Sequence, residues 1–471
     1  MDHVSTSSPG KGLTGALVGV LVWGALSFGA VYPWGYWPLA AACAAIGIWT
    51  IHATGGWSRP WVRSWLAVFG ALVVAIALQV IPLPHAWFTR LSPAADQLLA
   101  DYDTAYSVQP AAWHALSISP LSTLTVLLLL AALTLFLIGL SGAMNRIPLH
   151  RFASAVAILG MSLVIFGVIQ LAFVVDNKPV VYGFWRVPLG ALPFGPFINK
   201  NHFAGWMLMA LPIVLGYFCA MVQASWRERG GRLGRWLRWA TRPEAGWTAL
   251  IGFCVLAMAT SIVLSKSRSG IVGFAIVLLV FGVFLVRNAS RRLGRLVAAA
   301  AILGVLALAV VWAGSDTTAT HFAQSSRDLP GRLEAWRDTV RIIQHFPWFG
   351  TGLGTYWMAM LVYQTGPRDQ IFFQAHNDYL QVAAEGGLLV CVPALIAVVA
   401  LAVSASRRFA ERDDLMTYWL RAGAIAGIVG MAAQSVVEFS LQTPGNTALF
   451  VVLLALAIHP PRSRTARAHR V

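Results

Sequence analysis

The sequence predicts an all-α, polytopic integral membrane protein. Of its 471 residues, 58% are hydrophobic and only 11% are charged, whereas a soluble domain carries roughly a quarter charged residues. Apolar runs of about 20 residues, the length of a membrane-spanning helix, recur along the whole chain. We therefore expect a single transmembrane domain over residues 1–471, within which the polar segment 314–385 forms a large loop with short helices.

About twelve apolar runs are predicted to cross the membrane. The first is expected to remain in the protein, because no cleavage pattern of a signal peptide accompanies it. The predicted spans are residues 13–31, 37–52, 62–81, 121–140, 151–175, 203–224, 247–264, 270–287, 295–313, 386–404, 418–434 and 446–459.

The distribution of Lys and Arg predicts the orientation of these spans. Alternating them from a cytoplasmic N-terminus places most basic residues, and both termini, in the cytoplasm, as the positive-inside rule requires. The long segments 82–120, 176–202 and 314–385 then lie on the opposite face. The net charge of +16 is explained by contact with anionic membrane lipids rather than by nucleic-acid binding.

Segment 176–202 ends in a cluster of polar side chains. Lys200, Asn201 and His202 stand directly before a predicted span, and Arg186 precedes them in the same segment. So many hydrogen-bond donors favour a ligand rich in oxygen atoms, such as a phosphate or a sugar. For Lys200 and His202, anchoring to lipid headgroups is the alternative.

A short turn with the sequence SKSRSG separates two later spans. It carries Lys266 and Arg268 among small serines, and an arginine at this depth is costly unless it is paired or lines a wet cavity. We expect the guanidinium group to bind an anion. A side chain that extends to the headgroups is the alternative.

The large loop opens with an amphipathic pattern, LPGRLEAWRDTVRIIQHF. Pro330 and Gly331 are expected to mark the start of a helix with Arg332 in its first turn. A helix N-terminus and an arginine together form a suitable anion site. The Gly-rich stretch that follows suits a tight turn, and its spacing alone is weak support for phosphate binding.

The loop closes with AHNDYLQVAAEGG, which we expect to continue as helix into the next span. His376 is the side chain best suited to accept a proton near neutral pH, although a histidine that caps a helix is the alternative. Asn377 and Asp378 follow it and, with Lys266 and Glu385, are expected to bind the substrate. Glu385 is expected either to pair with an arginine or to orient a loop.

No metal site is expected, although one pattern leaves a cation open. Asp101 and Asp103 form an Asp-x-Asp pair, which can hold a divalent cation at a diphosphate but more often marks a solvated turn. No second histidine follows His376 at the spacing of a helical zinc site. The cysteines lack metal-ligand spacing and are expected to pack as small apolar residues; they are Cys43, Cys219, Cys254 and Cys391.

Taken together, these motifs resemble the O-antigen ligase and polymerase superfamily of bacterial envelope glycan assembly. The resemblance covers residues 190–440 and rests on FINKNHFAGW, SKSRSG, PGRLEAW with HFPWFGTGLGTY, and AHNDYLQVAAEGG. It implies a membrane glycosyltransferase of the C type in the bacterial inner membrane, without a metal or cofactor. The donor would be an undecaprenyl-diphosphate-linked glycan on the periplasmic face. The acceptor would be a sugar of lipid A-core in a ligase, or a second lipid-linked glycan in a polymerase.

The resemblance also implies roles for single residues. His376 matches the histidine expected to act as general base, while Arg268 and Arg332 match the two arginines expected to stabilise the diphosphate. Arg186 or Lys200 could share the role of Arg268. A single in-line attack would invert the anomeric configuration.

Two alternatives stay open at this point. A retaining reaction would need a carboxylate nucleophile, for which Asp378 and Glu385 are the candidates. A transporter of lipid-linked glycans would show charged or broken helices near the bilayer midplane and internal repeats, and the sequence shows neither. Nothing in the motifs separates a ligase from a polymerase.

Overall fold

The computed structural model describes residues 9–172, 174–175, 178–187, 191–229, 243–288, 304, 316–366, 371–411 and 414–460. Helices make up 79% of the structure and strands 3%, which confirms the all-α class. Among these residues, nine helices are long and apolar enough to cross a membrane. Two shorter apolar helices stand near the two ends of the described chain.

The helices and strands are as follows. In chain order the helices are α1 (Pro9–Leu26), α2 (Pro33–Ala53), α3 (Pro60–Val80), α4 (His85–Leu91), α5 (Pro93–Tyr102), α6 (Thr104–Val108), α7 (Pro120–Ala143), α8 (Leu149–Gln170), α9 (Lys200–Arg229), α10 (Pro243–Leu264), α11 (Arg268–Asn288), α12 (Asp316–His345), α13 (Tyr356–Tyr363), α14 (Asp378–Ala410), α15 (Leu415–Gln434) and α16 (Pro444–Ile458). The short strands are β1 (Leu83–Pro84), β2 (Trp113–His114), β3 (Val174–Val175), β4 (Lys178–Val181) and β5 (Trp185–Arg186), paired as β1–β2 and β3–β4–β5, all antiparallel.

All but one of the predicted spans coincide with helices of the structure. The exception, residues 295–313, lies outside the described residues apart from residue 304. The predicted turn between the spans 247–264 and 270–287 is confirmed, because α10 ends at Leu264 and α11 begins at Arg268.

Helix α9 is the most enclosed of the candidate spans. In the most apolar 18-residue stretch of each helix, 72% of α9 is buried inside the protein, compared with 11% of α14. Trp206 on α9 is fully buried, whereas Leu395 on α14 is 64% exposed. Since exposed aliphatic side chains of this kind suit contact with acyl chains, α9 forms the centre of the bundle and α14 lies at its lipid-facing edge.

Glycines allow two helix pairs to approach closely. A Cβ atom on Gly423 of α15 would lie 2.1 Å from the carbonyl oxygen of Pro212 on α9. A Cβ atom on Gly139 of α7 would lie 2.3 Å from the carbonyl oxygen of Gly47 on α2. Because lipid supplies no hydrophobic drive between helices, this close packing of backbones stabilises the bundle.

The segments between spans form a second, smaller core outside the main bundle. Helices α4, α5 and α6 of segment 82–120 pack against α12 and α13 of the large loop. The buried side chains of this core include Phe88, Leu99, Tyr106, Ile342, Phe346, Tyr356 and Met360. Loops that are distant in the sequence thus combine into one cap over the ends of the spans.

Helix α14 is interrupted at Gly387, where the backbone is non-helical (φ 56°, ψ −165°). This break agrees with the predicted start of a span at residue 386. The Gly-rich loop 347–352 lies in the gap and replaces the missing helical hydrogen bonds, so the break leaves these backbone groups paired. The bonds are Leu388 N to Pro347 O at 2.9 Å, Leu389 N to Trp348 O at 2.9 Å, Thr351 N to Ala384 O at 3.1 Å, and Gly352 N to Glu385 O at 2.9 Å.

Candidate active site

A buried carboxylate brings together residues from three of the sequence motifs. Glu438 lies between α15 and α16, and its side chain is 1% exposed. Its Oε1 accepts hydrogen bonds from Arg332 Nη2 at 2.9 Å and from Asn201 Nδ2 at 2.7 Å. Its Oε2 lies 3.7 Å from His376 Nδ1, which is too long for a good hydrogen bond. Arg332, Asn201 and His376 therefore converge on one anionic group.

The prediction that Arg332 lies in the first turn of a helix is wrong. Helix α12 begins at Asp316, so Arg332 lies far inside it, beyond the reach of the charge at the helix N-terminus. Its position is set by side-chain contacts instead. Arg332 Nη1 also donates to the carbonyl oxygen of Val437 at 3.0 Å, and Trp336 one turn later donates to the carbonyl oxygen of Ala375 at 2.8 Å.

His376 stands just before a helix and not within it, which corrects the expectation that the motif is continuously helical. Asn377 is the N-cap of α14, and its Oδ1 accepts from Leu380 N at 3.0 Å. His376 has a left-handed backbone with φ 49°, a conformation that costs energy in a residue with a side chain and often marks functional positions. Its side chain is 29% exposed, so a substrate can reach the ring.

Phe439 packs between two histidine rings. Its ring centroid lies 5.0 Å from that of His376 and 4.9 Å from that of His202, in both cases nearly edge to face. The imidazole of His376 is therefore held between an aromatic ring and the carboxylate of Glu438. This arrangement fixes the ring plane and directs Nδ1 towards the carboxylate.

The surrounding charges keep Glu438 ionised. Burial raises the pKa of this carboxyl, but the neighbouring His376 and the guanidinium group of Arg332 lower it, and the net pKa lies below the usual value. An ionised Glu438 presents a negative charge to His376 Nδ1 at 3.7 Å, which favours the tautomer with its proton on Nδ1.

The turn that carries Arg268 is tied to the same carboxylate. Asn201 Oδ1 accepts from Ser267 Oγ at 2.7 Å, and Ser267 Oγ in turn accepts from Gly270 N at 3.1 Å, capping α11. Arg268 is the first residue of α11. The combination of an arginine and a helix N-terminus, expected at Arg332, is found here. Lys266 in the same turn is exposed and has a left-handed backbone, φ 53°.

The polar cluster at the start of α9 divides between two environments. Asn201 contacts Glu438, whereas His202 is buried and its Nδ1 lies 2.9 Å from Thr443 Oγ1. His202 thus joins α9 to the start of α16, a structural contact that the sequence did not indicate. Lys200 is the first residue of α9.

Arg186 lies in a different part of the protein surface. It belongs to β5, where it pairs with Val180 of β4. The adjacent Trp185 donates from Nε1 to the hydroxyl of Tyr32 at 3.1 Å, near the start of α2. Arg186 is thereby associated with the aromatic residues around the junction of α1 and α2.

Of the two expectations for Glu385, the contacts support the orientation of a loop. Glu385 is buried, and its Oε1 accepts from the backbone N–H of Tyr356 at 2.8 Å. Asp378 lies two turns earlier on the same helix, and its Oδ1 accepts from Gln442 Nε2 at 2.9 Å. Neither side chain belongs to the group around Glu438, although Asp378 follows His376 by two residues.

The Asp-x-Asp pair has a local structural role. Asp103 is the N-cap of α6, and its Oδ1 accepts from the N–H groups of Ala105 and Tyr106. Asp101 is exposed on α5. In the part of the chain that the structure describes, no three His, Cys, Asp or Glu side chains are grouped so as to hold a metal ion, and metal independence stays a prediction. The cysteines are unpaired thiols.

Glu438 is the main residue that the sequence analysis missed. It does not belong to any of the recognised motifs and stands in a short apolar stretch, VVEF. One signal was available, because Glu438 is the last acidic residue of the chain and follows Asp414 by a whole apolar span. An isolated ionisable residue at a membrane boundary is by default a candidate for function.

A comparison with protein families agrees with these motifs. Residues 253–395 match the family described as O-antigen ligase, and this range contains Arg268, Arg332 and His376. No curated protein matches the chain. The matched range also holds the large loop, its flanking helices and the break in α14. The family match, together with the multi-pass helical fold, supports membership of the O-antigen ligase and polymerase superfamily.

Proposed function

We propose that this protein is an O-antigen ligase-type glycosyltransferase. It transfers a glycan from undecaprenyl diphosphate to a sugar hydroxyl of lipid A-core, at the periplasmic face of the bacterial inner membrane. The observation that carries the proposal is the convergence of Arg332 and His376 on Glu438, since it joins a cation suited to phosphate with a base suited to a hydroxyl.

The leaving group of this reaction is a diphosphate, which develops negative charge as the glycosidic bond breaks. Arg332 and Arg268 supply permanent positive charge to stabilise it. The contacts of Arg332 with Glu438 and Val437 use two of the five N–H donors of its guanidinium group. The remaining donors are available for phosphate oxygens.

His376 acts as the general base. With Nδ1 directed towards Glu438, Nε2 carries the free lone pair and takes the proton of the acceptor hydroxyl as its oxygen attacks the anomeric carbon. The glycosidic bond to the diphosphate breaks in the same step, so the configuration inverts. Two carboxylates are poorly placed to act as nucleophiles, because Glu438 is covered by Arg332 and Asn201 and Glu385 is buried against a loop. Asp378, which accepts from Gln442, is the carboxylate that a retaining reaction would use.

The proposal is tested by glycan transfer with purified protein in nanodiscs containing EDTA. The donor is an undecaprenyl-diphosphate glycan, supplied either with lipid A-core or alone. We expect product on lipid A-core, a loss of about 10²–10⁴-fold in His376→Ala and of about 10²–10³-fold in Arg332→Ala. His345→Ala, which alters an exposed histidine bonded to Tyr363, is the matched control and should retain wild-type activity.

Each other outcome has a defined meaning. Ladders of product from the donor alone would identify a polymerase of the same superfamily. Donor binding without transfer in either mixture would favour a transporter. Full activity in His376→Ala would remove the base from the mechanism, and loss of activity in EDTA would require a metal ion.

A further inference from the structure

A large cavity lies next to the group around Glu438 but is not lined by it. Its volume is about 480 Å³, within the range of small-molecule sites. One end is aliphatic and is formed inside the membrane by α2, α3 and α7. The other end lies beneath the cap, where Asp378 and Gln442 line it. These two residues follow His376 and Glu438 closely in sequence, so the cavity adjoins the candidate active site.

The end beneath the cap combines aromatic rings with polar side chains. Its aromatic residues are Tyr36, Tyr356, Trp357 and Phe373, and its polar residues are Gln374, Asp378, Gln381, Glu385 and Gln442. The rings of Trp357 and Phe373 lie 6.5 Å apart and are partly exposed. Flat apolar rings beside amide and carboxylate groups match the surface of a sugar, which has apolar C–H faces and a rim of hydroxyls.

Hydrogen bonds between the side chains fix this polar surface. Gln381 Nε2 donates to Gln374 Oε1 at 2.6 Å and to Gln442 Oε1 at 3.2 Å. Gln442 Nε2 donates to Asp378 Oδ1 at 2.9 Å. Because the amides hold one another in place, they can meet a ligand without a large further loss of side-chain entropy.

The charge of the lining excludes one class of ligand. It includes two carboxyl side chains, Asp378 and Glu385, and among the described residues that line it there is no Lys, Arg or His. A diphosphate placed here would meet the carboxylate of Asp378 without a compensating cation. A neutral, hydroxyl-rich group meets no such penalty, and its hydroxyls can donate to the carboxylate of Asp378.

We infer that this end of the cavity binds the neutral sugar of the acceptor, with Trp357 and Phe373 against its ring and Gln374, Asp378 and Gln442 on its hydroxyls. The inference rests on the proposed function and adds to it a separate place for each substrate. The diphosphate of the donor lies on the arginine side of His376, and the acceptor sugar lies on the side of Asp378. His376 between them can reach the attacking hydroxyl.

Steady-state kinetics of glycan transfer, with each substrate varied in turn, tests the inference. We expect Gln442→Leu and Trp357→Ala each to raise the KM for lipid A-core about tenfold, because each loses one element of sugar recognition, while the KM for the donor changes less than twofold. Trp113→Ala removes an exposed tryptophan outside the cavity and serves as the control. Thermal unfolding verifies that every variant is folded.

A second arm needs no mutation. Octyl glucoside carries a neutral sugar on an apolar chain, whereas an octyl phosphocholine has the same chain and a charged headgroup. Below the concentration that dissolves the nanodisc, octyl glucoside should compete with lipid A-core and not with the donor. The phosphocholine compound should have a much weaker effect.

The outcomes separate this inference from the proposed function. If the wild type transfers no glycan, the proposed function fails. If transfer occurs but the variants raise the KM for the donor, or octyl glucoside competes with the donor, the cavity belongs to the donor and the inference is overturned. Unchanged KM values in both folded variants would overturn it as well.

Discussion

Replacing Glu438 by Gln should abolish most of the activity while conserving shape. The amide oxygen can keep the contacts with Arg332 and Asn201 at the position of Oε1. The amide N–H₂ group then occupies the position of Oε2, 3.7 Å from His376 Nδ1. A donor group that faces Nδ1 favours the tautomer in which Nδ1 is unprotonated and the ring proton lies on Nε2, the nitrogen that must be unprotonated to act as base.

The size of the effect follows from what the base contributes. General-base catalysis is worth about 10²–10⁴-fold in rate, which corresponds to about 3–5 kcal/mol of activation free energy. We expect Glu438→Gln to lower kcat within this range and to change the KM for the donor little, because Arg332 keeps its charge. Glu438→Asp retains the negative charge and the favoured tautomer, and it should keep more activity than Glu438→Gln.

The assay is glycan transfer in nanodiscs as a function of pH, with kcat and KM determined separately. Glu411→Gln is the matched control, since Glu411 also pairs with an arginine, Arg408 at 2.9 Å, but lies at the far end of α14. If Glu438→Gln keeps kcat within threefold of the wild type and has the same pH profile, Glu438 does not orient His376 as the base.

The remaining predictions concern stability. Because the pKa of Glu438 is lowered in the folded protein, its stabilising effect is complete above its unfolded pKa of about 4.3 and is lost as pH falls through the lower, folded value. The melting temperatures of wild type and Glu438→Gln should therefore approach each other as pH falls below about 4.3 and converge once it is below the folded pKa. Gln79→Leu should lower the free energy of unfolding by about 2–4 kcal/mol, because Gln79 is fully buried and its Nε2 and Oε1 atoms bond to the backbone of the Gly-rich loop and of Leu353 next to it. Denaturant titration measures this change, and a decrease of less than about 1 kcal/mol would contradict the prediction. Gly423→Val should reduce the yield and melting temperature of folded protein, whereas Gly282→Val, which has open space, should not; equal behaviour of the two variants would argue against close packing of α9 and α15.

Hydrophobic patterning was sufficient to predict the spans that the structure describes, because each span is a local property of about 20 residues. An apolar run of this length forms a helix in the bilayer whatever segments pack beside it, because its backbone groups must be hydrogen-bonded within the run. The predicted helix boundaries were wrong where a boundary depends on contacts with residues that are distant in the chain. Helix α12 extends back to Asp316 through Pro330, although that proline suggested a start. His376 leaves the helix because Asn377 caps it and Trp336 holds the preceding carbonyl.

The candidate site was predicted in part, for a related reason. Arg332, His376 and Arg268 each belong to a dense local motif, so their residue types and surroundings identified them separately. Their common partner was not identifiable in this way. Glu438 stands alone in its segment and acquires its importance only from groups on α9, on α12 and before α14 that contact it.

The sequence alone determined that this is a helical membrane protein and which segments lie between its spans, and it predicted the arginines and the histidine of the candidate site. These properties depend on local composition and on the free energy of placing each segment in lipid. Only the tertiary structure decided that Arg332, Asn201 and His376 share one carboxylate and that a glycine-rich loop fills the break in α14. It also decided that a cavity with no Lys, Arg or His among its described lining residues adjoins the site. Those features depend on contacts between segments that are distant in the chain, and no local pattern encodes the partner of a buried charge.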